Sequence, residues 1–329
     1  MISYNSLLEL FSFFIHHESN NIDRKLIDLI IDEASKLLQN EQSVLYLKGD
    51  YHIVGDIHGN LDSLLKIFEK TGFPSEENKY IFLGDYVDRG SESIQVITFL
   101  FCIKCLFSES VILLRGNHEI ESVNAFYGFK AQCELMYDLQ LFKAFNLSFE
   151  KLPIAAVINN FFFCVHGGVS KLIQKVSDLS LITKFSQEQD DLSKDLLWSD
   201  PKEISGFYSR SPRLFGCHFS LKALEYFLEV TNLSHVIRSH EFCMYGYDFP
   251  FGEGKPITTV FSSDNYEGNT NFGSVISITN TTDISICSYC QRTKKQKRTI
   301  PETILDLLSK REKMSIRSDL IAIEISSLT

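Results

Sequence analysis

The stretch that decides the fold runs from Tyr51 to Asn60 and reads YHIVGDIHGN, a short apolar strand followed by a turn rich in Gly, Asp and His. Apolar residues at positions 61, 64, 65 and 68 then predict an amphipathic helix. The same order of strand, polar turn and helix recurs twice, with turns that read GDYVDRG (84–90) and RGNHE (115–119). Units of this kind form a largely parallel sheet with helices on its faces. The sequence therefore predicts an α/β fold.

Further elements follow from the apolar periodicity. Two helices are predicted near the start of the chain, separated by Asn20 and Asn21, and two more at 94–106 and at about 122–137. The predicted strands lie at 51–54, 80–83, 111–114, 160–165, 235–237 and 257–261. Residues 274–278 and 284–289 flank a polar TNTTD turn and predict a β-hairpin.

Composition excludes several classes of protein. The 329 residues are 44% hydrophobic with only 17 Gly and 7 Pro, which is typical of a folded globule. The net charge of −10 disfavours a nucleic-acid partner. The most apolar stretch, 96–107, is too short to span a bilayer, and no leader pattern is visible, so we expect a cytoplasmic protein with no membrane partner.

Eight cysteines are present, including two CxxC pairs, Cys102 with Cys105 and Cys287 with Cys290. Without a secretory pattern they indicate reduced thiols rather than a disulfide framework. The two pairs lie 287 − 105 = 182 residues apart, in a predicted apolar helix and a predicted edge strand. We therefore interpret them as ordinary thiols rather than as a zinc site.

Metal-competent and phosphate-competent side chains follow five of the predicted strands. In parallel sheets, ligands bind beyond the carboxyl ends of the strands. Carboxylates mixed with imidazoles favour Mn, Fe or Zn, and two clusters that share a carboxylate are typical of a two-metal phosphoryl-transfer site. The candidate residues are Asp56, His58, Asp85, Asp88, Arg89, Asn117, His118, His166 and His240.

These motifs give the sequence a recognisable pattern. The three motifs are GDIHG, GDYVDRG and LRGNHE, and the later blocks are LPIAA (152–156), FCVHGGVS (163–170), LLWSDP (196–201) and FSSDNY (261–266). Together they resemble the phosphoprotein phosphatase family of serine/threonine protein phosphatases. The resemblance implies a calcineurin-like metallophosphoesterase fold, a central β-sandwich flanked by helices. It covers about residues 7–290, so we predict a catalytic domain over 1–290, with N-terminal helices in 1–45. A basic tail, with a possible short helix, is predicted over 291–329.

The resemblance also implies roles for individual residues. Asp56 and His58 would hold a first metal ion, Asp85 would bridge two ions, and Asn117, His166 and His240 would hold the second. His118 matches the general acid that protonates the leaving alkoxide, and Asp88 matches the carboxylate that orients it. Arg89, Arg213, Asn117 and Tyr266 match the groups that bind the substrate phosphate. The expected partners are phosphoprotein substrates and regulatory subunits, and Mn is the expected metal, with Fe or Zn as alternatives.

The sequence departs from the family pattern at three places. The second arginine lies in SRSPRLFG (209–216), where spacing to Trp198 and His240 favours Arg213 over Arg210, although Leu214 replaces the usual Gly. Asp264 replaces a Pro, which predicts a more mobile and more acidic loop. Ser239 replaces a Gly or Ala, a change that we expect to be tolerated.

Two other functions remain open at this point. GDxHG and GNHE also occur in metallophosphoesterases that hydrolyse dinucleotide polyphosphates or nucleic acids, so the motifs alone do not fix the substrate. A catalytically inactive binding scaffold is the second alternative. The WSDP block, the segment around Arg213 and the NY pair at 265–266 favour the protein phosphatase, and the presence of all six ligand positions and His118 disfavours the scaffold.

Overall fold

The computed structural model describes Leu10, Phe14 and residues 22–184 and 190–290. The α-helices that span several described residues are α1 Arg24–Asn40, α2 Leu61–Thr71, α3 Ser93–Leu106, α4 Glu121–Asn124, α5 Phe129–Met136, α6 Leu139–Phe149, α7 Asp191–Trp198 and α8 Leu221–Thr231. The strands are β1 Val44–Leu47, β2 Tyr51–Val54, β3 Tyr80–Phe82, β4 Val111–Leu113, β5 Ala155–Ile158, β6 Phe162–Val165, β7 Asp200–Pro201, β8 Tyr208–Arg210, β9 Cys217–Phe219, β10 His235–Arg238, β11 Tyr247–Asp248, β12 Ile257–Val260, β13 Gly273–Thr279 and β14 Asp283–Tyr289.

The strands form two large sheets and one small one. One sheet has the order β14-β13-β2-β3-β4, the other the order β1-β5-β6-β10-β12-β11, and a small third sheet has the order β7-β9-β8. The strands β2, β3 and β4 are parallel, as the three strand–turn–helix units predict. The predicted hairpin is formed by β13 and β14, and β13 pairs antiparallel with β2. Parallel pairing therefore covers β2–β4 in the first sheet and β1–β5 and β6–β10–β12 in the second, so the predicted parallel strands are divided between two sheets rather than joined in one.

Three apolar clusters show how the layers stack. One cluster contains Ile53 of β2 and Ile276 of β13 together with Cys164 of β6 and Ile237 of β10, so it lies between the two large sheets. A second packs helices α1–α3, α5 and α6 on the outer face of the first sheet, and a third packs α7 and α8 on the second sheet. Burying apolar surface on both faces of each sheet is the main stabilising term of such a stack. The central β-sandwich flanked by helices is thereby confirmed.

The predicted helix at about 122–137 is interrupted. It is divided into α4 and α5, and Gly128 between them has φ +125°. A side chain would be strained at that φ, and glycine adopts it freely, so the helix turns there. The turn places Phe129 so that its N–H donates to Asp88 Oδ1 at 2.9 Å.

The ends of the chain are only partly described. The second predicted N-terminal helix is α1, whereas the first is represented only by Leu10 and Phe14, both buried. The break at Asn20 and Asn21 and the basic tail 291–329 lie outside the described residues, so the division into a domain and a tail stays a prediction. Within the described part of the chain, no helix is long and apolar enough to cross a membrane. All eight cysteines are described and none forms a disulfide.

Candidate active site

The polar turns meet at one end of the sandwich. Asp56 follows β2, Asp85 follows β3 and Asn117 follows β4, and because these strands are parallel, the three turns share an edge of the sheet. His166 follows β6 and His240 follows β10, which are parallel in the other sheet. A parallel bridge between Asp56 and Phe261, directly after β2 and β12, links the sheets beside the site.

Asp85 stands between two groups of candidate metal ligands. Its Oδ2 lies 3.5 Å from His58 Nε2, and its Oδ1 lies 3.3 Å from His166 Nε2. Asp56 Oδ2 is 3.7 Å from His58 Nε2 on the first side. On the second side, His166 Nε2 lies 2.9 Å from Asn117 Oδ1 and 3.1 Å from His240 Nδ1. The six predicted ligands are therefore brought together, with one carboxylate common to both groups.

The donor set fits two metal ions. The Nδ1–H groups of His58 and His166 donate to the carbonyl oxygens of Val87 and Leu83, which leaves each Nε2 lone pair aimed at Asp85. Among the described residues, His240 Nε2 is buried and has no hydrogen-bond partner. Buried polar groups ordinarily have a hydrogen-bond partner, so the unpartnered nitrogen of His240 indicates that something else occupies this position. Imidazole nitrogens and carboxylate oxygens that converge at one edge of the sheet are ligands for cations.

His118 lies at the rim of the first group with its carboxylate partner. Its Nδ1 is 2.6 Å from Asp88 Oδ2, and Asp88 is fully buried. Burial alone would lower the pKa of His118, but the charge of Asp85 and the charge and hydrogen bond of Asp88 raise it to about 9. His118 Nε2 lies 4.0 Å from Asp85 Oδ2, so His118 is geometrically close to the first ligand group. Because Asp88 holds Nδ1, only Nε2 is directed into the site.

Arg89 and Tyr266 face each other across the entrance. The Arg89 guanidinium lies over the Tyr127 ring, 4.3 Å from its centroid, and Nη1 is 3.5 Å from Glu267 Oε1. The Tyr266 ring is 5.3 Å from the His58 ring. Burial raises the pKa of Tyr266, so its hydroxyl keeps its proton and can donate a hydrogen bond to an anion. A cavity between them is lined by His58, Asn60, Arg89, Glu92, Tyr266 and Glu267.

Arg213, not Arg210, lies beside the second ligand group. Its Nη2 donates to the carbonyl oxygen of His240 at 3.4 Å, and its Nε pairs with Asp200 Oδ2 at 2.5 Å. The same Asp200 carboxylate accepts from the fully buried Arg238 at 2.9 Å. Arg210 is exposed on β8. Leu214 does not disturb this arrangement, because it is 74% exposed and the positive φ of the segment falls on Gly216 instead.

Backbone strain is concentrated around the site. Non-glycine residues rarely adopt positive φ, yet five of the predicted site residues do, and such strain persists where the surrounding structure holds it. These residues are His58 (+47°), Asp85 (+56°), Asp88 (+70°), Arg89 (+67°) and His240 (+74°). Gly84, between β3 and Asp85, is equally constrained: a Cβ there would lie 2.2 Å from the Gly116 nitrogen.

Glu119 and Arg115, which flank the turn of Asn117 and His118, both bond to backbone groups. The Glu119 carboxylate is fully buried and accepts three backbone N–H groups, from Asp85 at 2.7 Å, Tyr86 at 2.8 Å and Gly116 at 2.9 Å. Arg115 Nε donates instead to the backbone carbonyl of Glu119 at 3.1 Å. Glu119 thus holds two of the ligand turns together, because three donors in two turns saturate its oxygens.

The expectation for Asp264 is wrong. The side chain is 1% exposed, and its carboxylate pairs with the buried Lys66, with Nζ 2.7 Å from Oδ2. A buried and paired carboxylate adds no surface acidity and anchors the loop on α2, so the loop is tied down rather than loosened. Lys66 was not predicted as a buried partner, because only apolar residues were expected on the buried face of α2.

Ser239 makes hydrogen bonds at the site, which is more than the tolerated replacement that the sequence predicted. Its Oγ accepts the N–H of Asp56 at 2.9 Å and donates to Asp56 Oδ1. The N–H of His240 also donates to that oxygen, at 3.1 Å. The hydroxyl therefore fixes the orientation of a candidate ligand, which a Gly or Ala at this position could not do.

Comparison with known proteins agrees with this geometry. Residues 51–244 match the model of the calcineurin-like phosphoesterase family. A curated protein from Schizosaccharomyces pombe, named provisionally as a serine/threonine-protein phosphatase, is 38% identical over 252 residues, which cover 76% of this chain and 81% of that protein.

Solved structures show the same fold. A protein serine/threonine phosphatase from Saccharomyces cerevisiae, described as similar to human phosphatase PP5, superposes with a TM-score of 0.79 at 31% identity, over 88% of this chain and 97% of that chain. A cold-active protein-tyrosine phosphatase from a psychrophilic Shewanella species has a TM-score of 0.53 at 17% identity, over 75% of this chain and 80% of that one, and shows the fold alone. The chain belongs to the calcineurin-like phosphoesterase family and, as its motifs predict, groups there with the serine/threonine protein phosphatases.

Proposed function

We propose that the protein hydrolyses phosphoserine and phosphothreonine esters in proteins, with His118 as the general acid. The observation that carries the proposal is the position of Asp85, whose two carboxylate oxygens face two separate ligand groups while the His118–Asp88 pair lies at the rim. The named relatives support the choice of a phosphoprotein substrate.

The residues would divide the work as follows. Asp56, His58 and Asp85 would hold one metal ion, and Asp85, Asn117, His166 and His240 the other. Divalent ions bound there would activate water as the nucleophile and would neutralise charge on the phosphate. We propose Mn as the native metal, with Fe or Zn as alternatives, because imidazoles and carboxylates suit these ions.

Two arginines would bind the substrate phosphate. Arg89 approaches from the first half of the chain and Arg213 from the second, and guanidinium groups bind phosphate oxygens in pairs of hydrogen bonds. Tyr266 and Asn117 offer further donors. Each arginine already faces a carboxylate, Arg89 that of Glu267 and Arg213 that of Asp200, so both guanidinium groups are held in place before the phosphate arrives.

Proton transfer falls to His118. The alkoxide of serine or threonine is a poor leaving group, so a proton delivered from Nε2 to the departing oxygen speeds its loss. The buried Asp88 carboxylate favours the charged imidazolium and holds its ring orientation through Nδ1.

Metal removal and replacement test the proposal. We expect the purified protein to lose its hydrolysis of phosphoserine and phosphothreonine peptides in excess chelator and to regain it with Mn, because metal ions at the ligand groups would activate the attacking water. A phosphotyrosine peptide and a dinucleotide polyphosphate serve as comparison substrates. Activity that persists in chelator contradicts the metal dependence, and preference for the dinucleotide contradicts the substrate class.

We further propose that regulatory subunits direct the enzyme and that it works in the cytoplasm, with the nucleus as a second location. The first proposal is supported by the family resemblance. The second is supported by the eight cysteines, which include buried thiols and form no disulfide, as in a reducing compartment.

A further inference from the structure

The loop that carries Tyr266 is anchored by a buried ion pair. Asp264 and Lys66 are 1% and 3% exposed, and Lys66 Nζ lies 2.7 Å from Asp264 Oδ2. Ser63 Oγ donates to the other oxygen, Oδ1, at 2.5 Å. Burying a charge is costly unless it is paired and hydrogen-bonded, and here both carboxylate oxygens are satisfied. Such a pair holds the loop in one arrangement.

The anchor is tied to the turn that supplies His58. Asn60 is the N-cap of α2, where its Oδ1 accepts the N–H of Ser63 at 3.0 Å. The Nδ2 of the same Asn60 donates to the carbonyl oxygen of Asp264 at 2.9 Å, and the N–H of Asp264 donates to Ser63 Oγ at 3.0 Å. Asn60 lies two residues after His58, so the start of α2 connects the candidate ligand turn to the loop.

Beyond Asp264 the loop bends sharply under Tyr266. Asn265 and Glu267 have φ of +54° and +48°, a conformation that non-glycine residues keep only when their surroundings enforce it. The buried Asn271 contributes, since its Oδ1 accepts the N–H of Tyr266 at 2.8 Å and its Nδ2 donates to the carbonyl oxygen of Ser263 at 2.8 Å. The bend places Tyr266 over His58 and Glu267 against Arg89.

A proline at position 264 would restrict φ through its ring and would have no N–H. Asp264 keeps its N–H, uses it on Ser63, and adds a charged contact to Lys66, so a different chemistry restrains the same point of the chain. We propose that Asp264 is a positioning residue of the phosphatase reaction, which through Lys66 and Ser63 sets Tyr266 against His58. This inference rests on the proposed function, because it assigns Tyr266 to the substrate phosphate.

The central test is Asp264→Asn, which removes the charge and keeps the size. We expect the KM for a phosphoserine peptide and the Kd for inorganic phosphate, measured by calorimetry on the Mn-loaded protein, each to rise about tenfold, the effect of losing one hydrogen bond to a charged group. We expect kcat to stay within about twofold, because Asp264 lies outside the proton-transfer pair. In the Tyr266→Phe background the same change should have little further effect, since Asp264 acts through Tyr266.

A matched control separates positioning from general stability. Lys104 is another buried lysine, paired with Glu41 and hydrogen-bonded to the carbonyl oxygen of Val111 at the opposite end of β4 from Asn117. Glu41→Gln should lower the Tm to a similar extent while leaving KM and the phosphate Kd unchanged. If Asp264→Asn fails to fold, Ser63→Ala weakens the same anchor while keeping the Lys66–Asp264 pair and should raise both constants by a smaller factor.

Two kinds of result would overturn the inference. The first is an unchanged KM and phosphate Kd in Asp264→Asn, or in Ser63→Ala where that variant takes its place. The second is an equal rise in Glu41→Gln, or independent, multiplying effects of the changes at 264 and 266. Failure of the proposed function shows differently, as a wild-type protein that cleaves no phosphopeptide. Phosphate binding still tests the anchor in that case, because it requires no turnover.

Discussion

The two halves of the site are built in different ways. In the first half, residues 55–119, the turns hold one another: Glu119 accepts the N–H groups of Asp85, Tyr86 and Gly116, and Asp85 Oδ1 accepts the N–H of His118. In the second half, residues 166–267, two of the functional groups depend on side chains outside their own turns. Asp200 holds Arg213, and Lys66 of α2 holds the loop of Tyr266.

This difference indicates which positions of the site tolerate amino-acid substitution. A self-bonded set of turns needs its residues together, so the motifs of the first half read as unbroken blocks of sequence. In the second half, each functional side chain needs only to be held in its position, and side chains of different types can make the contacts that hold it. This explains how Asp264, Ser239 and Leu214 depart from the family pattern while the six candidate ligands still converge.

The largest effect is expected in the first half, for His118→Asn. The variant removes the proposed proton donor, and general acid catalysis ordinarily contributes about 10² to 10⁴ in rate. We expect kcat on a phosphoserine peptide to fall by a factor in that range while two metal ions remain bound, as measured by elemental analysis. His118 also lies near the first ligand group. A lost metal ion would make it a ligand, and unchanged turnover would remove it from the mechanism.

A smaller effect is expected in the second half, for Arg213→Ala. Loss of a guanidinium that binds phosphate should lower kcat/KM by about 10- to 100-fold, the value of one or two charge-assisted hydrogen bonds. Asp200 keeps Arg238 as a partner, so the buried carboxylate is not left unpaired. Arg210→Ala is the control, because Arg210 is exposed on β8, and it should change kcat/KM by less than about twofold. The reverse ranking would show that spacing selected the wrong arginine.

The sequence predicted the first half better than the second for a physical reason. Strand, turn and helix are adjacent in the chain, so β2, β3 and β4 and the turns after them could be located from periodicity. The order of strands around His166 and His240 depends on pairing between distant segments, which periodicity does not encode. The sandwich itself was therefore an expectation from the family resemblance rather than from the apolar pattern.

The errors concern buried polar side chains. Asp264 was expected to add acidity to its loop, and Glu119 was not among the candidate residues. Only three-dimensional contacts reveal the lysine and the N–H groups that satisfy these buried carboxylates. The break at Gly128 was missed because a glycine inside an apolar period is compatible with a continuous helix.

The smallest effect is expected at Ser239, where the two halves touch. Ser239→Ala removes the hydroxyl that donates to Asp56 Oδ1 and accepts the N–H of Asp56, so the carboxylate keeps only the His240 N–H from that side. Loss of such an outer contact ordinarily costs about 10- to 100-fold in metal affinity, and we expect the lower end in a Mn titration by calorimetry. Thr259→Val is the matched control, because the Thr259 hydroxyl is buried on neighbouring β12 and has no hydrogen-bond partner among the described residues. Equal affinities in both variants would mean that the turn after β2 orients Asp56 unaided, and that the first half of the site is independent of the second.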